Sequence, residues 1–198
     1  MLNSITIVVL LRERSEIEGL RAQGFLAGRA EQGPAAGAIG SPGEAVPLAA
    51  RRSVNIVLAE VNQESGLTQA YDAGDGLTRP ATIEGIPCRE LARPGGTLAK
   101  IYFIVDPSFK KATRMHAWVE VEYFDGAPDG LLYVEYDGPK AYAGSEWGRG
   151  LKHSSQWNTV TFELADPSFS GRENGGADFR IVATKSKVFV RRVTLKAN

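Results

Sequence analysis

The chain is short of cysteine, of histidine and of net charge, and each shortage removes a class of function. A single cysteine, Cys88, among 198 residues excludes an intrachain disulfide. Two histidines, His116 and His153, are too few for a metal site rich in His and Cys. Lys+Arg and Asp+Glu both number 23, so the formal charge is zero. No basic field exists to hold nucleic acid or an acidic membrane surface, and neither is expected as a partner. Long apolar runs are missing too. The opening ITIVVLL at 5–11 is far shorter than the roughly 20 residues of a membrane-spanning helix. It lacks a basic lead, charges follow at once in RERSE, and no convincing cleavage site comes next. A degraded or mis-started export signal and a tail or stray strand both stay open for it.

Composition changes near residue 52. In GPAAGAIGSPGEAVPLAA, at 33–50, thirteen of eighteen residues are Gly, Ala or Pro. Such a stretch buries little and is costly to order. Before it, Ile17 and Leu20 have weak helical spacing, which Gly19, Gly24 and Gly28 interrupt. Residues 1–52 therefore read as a low-complexity tail or linker, and 53–198 as one β-sandwich module.

From residue 54 the apolar pattern has period two. Strands are predicted at 54–61, 98–105, 115–124, 131–137, 157–164, 178–183 and 187–195. In the third, Met115, Ala117, Val119, Val121 and Tyr123 share one face, and His116, Trp118, Glu120, Glu122 and Phe124 the other. The turn DGAPDG at 125–130 predicts a hairpin between the third and fourth strands. Adjacent arginines in the last strand predict a bulge or a switch of face. Short strands, frequent turns and no convincing helix predict an all-β, two-sheet sandwich. Its expected core is Val119, Val121, Tyr123, Val134, Tyr136, Phe162, Phe179 and Ile181, with Trp157 beside them.

One pentapeptide nearly repeats: VDPSF at 105–109 and ADPSF at 165–169. In both, Asp ends an apolar strand and Pro favours the first position of a turn. Ser can bond locally to the backbone, and Phe is placed to fold back into the core. The flanks share nothing else. The repeat reads as a strand-ending corner used twice, with Phe109 and Phe169 as plugs.

Catalytic constellations are thin. His153, Ser154 and Ser155 are adjacent in a polar loop, which does not make a triad. Glu120, Glu122 and Glu135 could crowd as paired carboxylates, but exposed acids on a half-solvated sheet explain them as well. DAGDG at 72–76 and DGAPDG resemble fragments of calcium loops without the full ligand spacing. Aromatic residues are more telling. Trp147 lies in GSEWGRG, between glycines and charges, with Tyr142, Glu146 and Arg149 close in sequence. A ring so placed either folds back over the sandwich edge or serves as a stacking platform. Trp118, His116 and, across the predicted hairpin, Tyr133 suggest a second, flat face for binding or for cover by a loop or another domain.

The ordered series IYFIVDPSF, VEVEYFDGAPDGLLYVEYD, WNTVTFELADPSF, NGGADFRIVA and VFVRRVTL resembles galactose-binding-like β-jelly-rolls of the carbohydrate-binding-module kind. Such domains are appended to bacterial glycoside hydrolases and polysaccharide lyases. GIPCREL at 85–91 is similar to the early segment of that family, and the resemblance spans about 53–198. It implies a non-catalytic module that stacks a sugar on loop aromatics, with Trp147, Tyr142, Arg149, Glu146 and Arg89 as ligand-binding residues. It also implies a secreted or cell-surface setting and no cofactor, although sugar-binding relatives often carry a structural calcium, whose ligands this sequence does not identify. The alternative is a structural or protein-interaction module that uses the Trp118, His116 and Tyr133 face against a neighbouring domain.

Overall fold

The computed structural model describes residues 52–92, 98–110, 116–127, 129–145, 147–185 and 187–197. Apart from Arg52, the tail or linker predicted over 1–52 lies outside these residues, as do Met115 and Glu146. The described chain is a two-sheet antiparallel jelly-roll sandwich. One sheet holds β1 (Ser53–Val57), β2 (Gln63–Ser65), β4 (Thr78–Ile83), β5 (Ile86–Leu91), β7 (Ala117–Asp125), β11 (Trp157–Leu164) and β13 (Val188–Ala197). Its order is β11-β7-β13-β1-β2, with β5 also on β13 and β4 on β5. The other holds β3 (Leu67–Ala70), β6 (Ala99–Val105), β8 (Gly130–Tyr136), β9 (Ala143–Gly144), β10 (Arg149–Leu151) and β12 (Phe179–Ala183). Its order is β10-β8-β12-β6-β3, with β9 also on β8.

Period-two alternation places the core. Val119, Val121 and Tyr123 of β7 face Leu132, Val134 and Tyr136 of β8 across the sandwich, and all are buried. Every expected core residue is buried, and each such large side chain contributes roughly 1.5–3 kcal/mol before entropy is subtracted. Trp157 is the departure. It pairs with Phe124, on the face of β7 opposite Tyr123, so it belongs to the outer side of the seven-stranded sheet. There it packs edge-on to Phe124 at 5.7 Å, and Phe124 packs on Phe189 at 6.2 Å.

The β7–β8 hairpin does not form. β7 and β8 lie in different sheets, and 126–129 carries the chain from one to the other. A hairpin would keep both strands in one sheet; the crossover lets each bury its apolar face from opposite sides. A two-residue hairpin forms instead at β4–β5, closed by Glu84 and Gly85, both at positive φ (52° and 78°). Pro80 and Pro87 obscured it in the sequence. β4 pairs only with β5, so it is an edge strand, where a missing N–H is tolerated.

The arginine pair in the last strand marks a bulge, as predicted. The β13–β7 register shifts between Val190 and Arg192. The bulge also divides the other edge of β13, which pairs with β5 before it and with β1 after it.

Both repeated phenylalanines are plugs: Phe109 is 7% exposed and Phe169 3%. The corners before them differ in conformation. In the first, Asp106 Oδ1 accepts both Ser108 N (2.8 Å) and Ser108 Oγ (2.6 Å), a local turn. In the second, Asp166 and Phe169 adopt positive φ (50° and 47°), and Ser168 N bonds to Asp137 O at 2.7 Å. Buried Asp178 joins the two. Its carboxylate accepts Val105 N (2.8 Å) and Lys110 Nζ (2.6 Å) beside the first corner, and Gly171 N (3.1 Å) beside the second.

Candidate functional site

The outer face of the six-stranded sheet collects most of the chemistry. Leu131, Tyr133 and Glu135 alternate with the buried residues of β8, so they point away from the core. The same parity turns Lys100 and Tyr102 of β6 and Arg180 of β12 outward. Arg180 pairs in register with Tyr102 on one side and Glu135 on the other. Its Nη1 donates to the Tyr102 hydroxyl (2.9 Å) and its Nε to Glu135 Oε2 (2.6 Å). Tyr142 stacks on the same guanidinium, with the ring centroid 4.2 Å from Cζ. Glu135 holds the Arg180 pKa above its ordinary value, although burial pulls it down.

Two short turns wall this face. The 3-10 turn Gly74–Gly76 presents Asp75, whose carboxylate accepts Lys100 Nζ (2.6 Å) and the Tyr102 hydroxyl (3.2 Å). The 3-10 turn Asn174–Gly176 presents Asn174. Its Nδ2 donates to the Tyr102 hydroxyl (3.1 Å), and its Oδ1 accepts from the Tyr142 hydroxyl (3.4 Å). Burial, partly opposed by Arg180, pushes the Tyr102 phenol up to about 12. Tyr71 stands edge-on to Tyr102 at 5.5 Å. Tyr71 and Tyr142 both adopt positive φ (48° and 57°), an unusual conformation for aromatic residues.

Trp147 reaches solvent because of register. Gly144 pairs with Glu135, and Arg149 pairs with Leu132. Five steps along one strand thus match three along β8, and the two extra residues carry Trp147 off the sheet edge. It is 78% exposed. The next residue, Gly148, lies against the outward side chains of Tyr133 and Leu131, at 3.6 and 3.7 Å from where a Cβ would stand. Leu131 is also exposed.

The residues picked from the sequence divide accordingly. Tyr142 stacks on Arg180 and Tyr133 points out from β8 on the same face, while Trp147 precedes Gly148, which lies against Tyr133. Arg149 pairs with Leu132, which points into the core, so register puts it on the other side of that edge from Tyr133. Arg89 is buried in β5 of the other sheet. It donates to Ala59 O (3.1 Å), Thr78 Oγ1 (2.6 Å) and Asp72 Oδ2 (2.7 Å), ties that bind loops together. Glu146 lies outside the described residues. His116 and Trp118 stack at 4.6 Å on the seven-stranded sheet, and His116 pairs with Glu163. Tyr133 cannot join them, because the β7–β8 crossover sends it to the opposite outer face. Arg180, Tyr102 and Asn174 were missed. Their alternation was legible, but a buried arginine at a strand centre reads as core until its partners are known.

The acids and hydroxyls weighed for catalysis have structural partners. Glu120 pairs with Lys196 (2.7 Å) and Glu122 with Arg191 (2.8 Å) on the seven-stranded sheet, far in topology from Glu135. Buried Asp125 accepts Lys152 N (2.8 Å), His153 N (3.3 Å) and Ser154 Oγ (3.4 Å), which pins that loop. Among the described residues, no group of three or more His, Cys, Asp or Glu side chains is placed to hold a metal ion.

No family profile matches the sequence. No curated protein matches it either. Among solved structures, similarity extends to the C-terminal CBM6 of LamC, a marine laminarinase from Zobellia galactanivorans. Identity is 11% and the TM-score 0.43, over 73% of this chain and 98% of that one. A family 29 carbohydrate-binding module from Piromyces equi matches at 11% identity and TM-score 0.41, over 73% and 91%. The K1 cleaved adhesin domain of Lys-gingipain from Porphyromonas gingivalis matches at 13% identity and TM-score 0.41, over 74% and 98%.

Proposed function

We propose that the chain is a non-catalytic carbohydrate-binding module whose platform lies at the β8 edge of the six-stranded sheet. The observation that carries this reading is Trp147, 78% exposed on an insertion whose next residue, Gly148, lies against Leu131 and Tyr133. Leaving a large ring in water is unfavourable, and a sugar's apolar C–H face is a fitting cover. Stacking of nucleobases on aromatic residues, at roughly 1–3 kcal/mol per ring, gives the scale. Binding by one such ring is weak and gains from attachment of several copies. Tyr142, stacked on Arg180, offers a second ring five residues earlier in the chain, and Glu135, bonded to the same Arg180, offers a polar edge.

The test is a glycan array followed by titration calorimetry with Trp147→Ala. Binding that survives the substitution unchanged removes Trp147 from the site, and an array with no hit removes the function.

A second reading has its own support. Phe124, Trp157 and Phe189 form an aromatic patch on the outer face of the seven-stranded sheet, the face that also carries the His116–Trp118 stack. That patch fits a neighbouring domain docked there. Cross-linking within a longer parent protein, read at Lys196 and Lys187, distinguishes the two.

A further inference from the structure

Glu173 is 4% exposed, and neither carboxylate oxygen has a hydrogen-bond partner among the described residues. The charged groups facing it are Arg180 from β12, Glu135 from β8, and Asp137 and Asp178 at the ends of those strands. The cations nearby are committed. Arg180 bonds Glu135 and Tyr102, Arg172 bonds Asp137 (2.6 Å), and Lys110 bonds Asp178 (2.6 Å). An ionised Glu173 would be a buried charge surrounded by acids, without a partner.

The residue also sits at a mechanical junction. Glu173 O accepts Gly176 N (3.0 Å) and Glu173 N donates to Ala177 O (3.2 Å), so its backbone closes the 173–177 turn. Asn174 ties that turn to Tyr102 and Tyr142. Gly175, at φ 69°, backs onto Tyr71 so closely that a Cβ there would meet Tyr71 Cβ at 2.7 Å. The turn therefore rests on the rings that wall the outer face of the six-stranded sheet.

We propose that Glu173 is a proton latch: as the neutral acid it lets the 173–177 turn sit down on Tyr102, Tyr142 and Tyr71, and loss of its proton to solvent lifts the turn and frees those rings. The latch concerns the wall itself and stands whether or not the face binds a sugar. Burial, only partly opposed by Arg180, pushes the acid up to about 8 in the closed state, from 4.5 in the open chain. The closed state therefore binds more protons between those limits. Opening is favoured by up to about tenfold per pH unit from 4.5 to 8, and levels off above.

Hydrogen exchange between pH 5 and pH 8, corrected for the intrinsic rate, tests this on the wild-type chain and Glu173→Gln. Protection of the Gly176 and Ala177 amides is expected to fall at least about a hundredfold in the wild type and to stay flat in the variant. Amides of Val121 and Ile181, in central strands, exchange through global unfolding and should stay far more protected than the turn at every pH. Constant wild-type protection, a parallel fall in Glu173→Gln, or turn amides that exchange no faster than the reference amides would each overturn the latch. Should Glu173→Gln fail to fold, Glu173→Met, neutral and of similar length, takes its place. A fall driven by any other group would persist in either variant.

Discussion

Ser168 and Asp137, 31 positions apart, are bonded to each other, whereas Ser108 is bonded to Asp106 inside its own corner. Ser168 Oγ lies 3.1 Å from Asp137 O and 3.3 Å from Asp137 Oδ1. Two near-identical pentapeptides thus reverse the chain by different means: one through a local turn, the other by hanging on a buried acid of the neighbouring strand. Ser168→Ala is expected to cost about 1–2 kcal/mol, more than Ser108→Ala, because Asp137 stays buried and loses a donor. A double-mutant cycle in urea should find coupling of Ser168 to Asp137 and none to Asp166. Equal costs for the two serines would contradict this.

Arg180 carries more structure than any other charged residue on its face. Arg180→Met removes the bonds to Tyr102 and Glu135 and the platform under Tyr142, and leaves Glu135 without its cation. The expected loss is about 3–5 kcal/mol, the range for breaking a buried pair from one side. Arg180→Lys should recover only part of it, since an ammonium cannot serve two partners and a stacked ring in one plane. Urea midpoints measured on both variants check the order.

Stability should depend on pH in two opposed ways. Glu173 has a raised folded pKa, so its contribution is fully present below about 4.5 and is lost as pH rises towards about 8. Glu173→Gln should therefore raise Tm at pH 8, with the gain vanishing near pH 4. Asp137 behaves in reverse. Burial alone would raise its pKa, but the bonds from Arg172 and Ser170 hold it below 3.8. Its contribution is present above that value and is lost as pH falls through the folded pKa, so acid unfolding should begin at the 168–172 loop. Thermal melts from pH 3 to pH 9 test both signs.

Trp147 and Phe169 are both aromatic and both lie outside the strands, yet they should respond in opposite ways. Trp147→Ala is expected to shift stability by no more than about 0.5 kcal/mol, because the ring is in water. Phe169→Ala should cost about 3–5 kcal/mol through the cavity it leaves. Acrylamide should quench Trp147 well ahead of Trp118 and Trp157, both partly buried, and Trp147→Phe should remove that component. A large loss of Tm in Trp147→Ala would place the ring in the fold rather than at a surface.

The sequence by itself determined the sandwich, most of its strands, the burial of Phe109 and Phe169, and the bulge at the arginine pair. These follow from period-two burial and from the local geometry of Pro, Asp and Gly, which a short window contains. Only the tertiary structure decided which strands share a sheet, because alternation fixes a strand's buried face but not its neighbours. That single choice, the crossover between β7 and β8, parted Tyr133 from His116 and Trp118 and set it against Gly148. It also brought Arg180, Tyr102, Asn174 and Tyr142 together from four separate segments. The burial of Glu173 was equally beyond the sequence, since an acid between Arg172 and Asn174 reads as solvated until the strands beneath it are known to carry Glu135, Asp137 and Asp178.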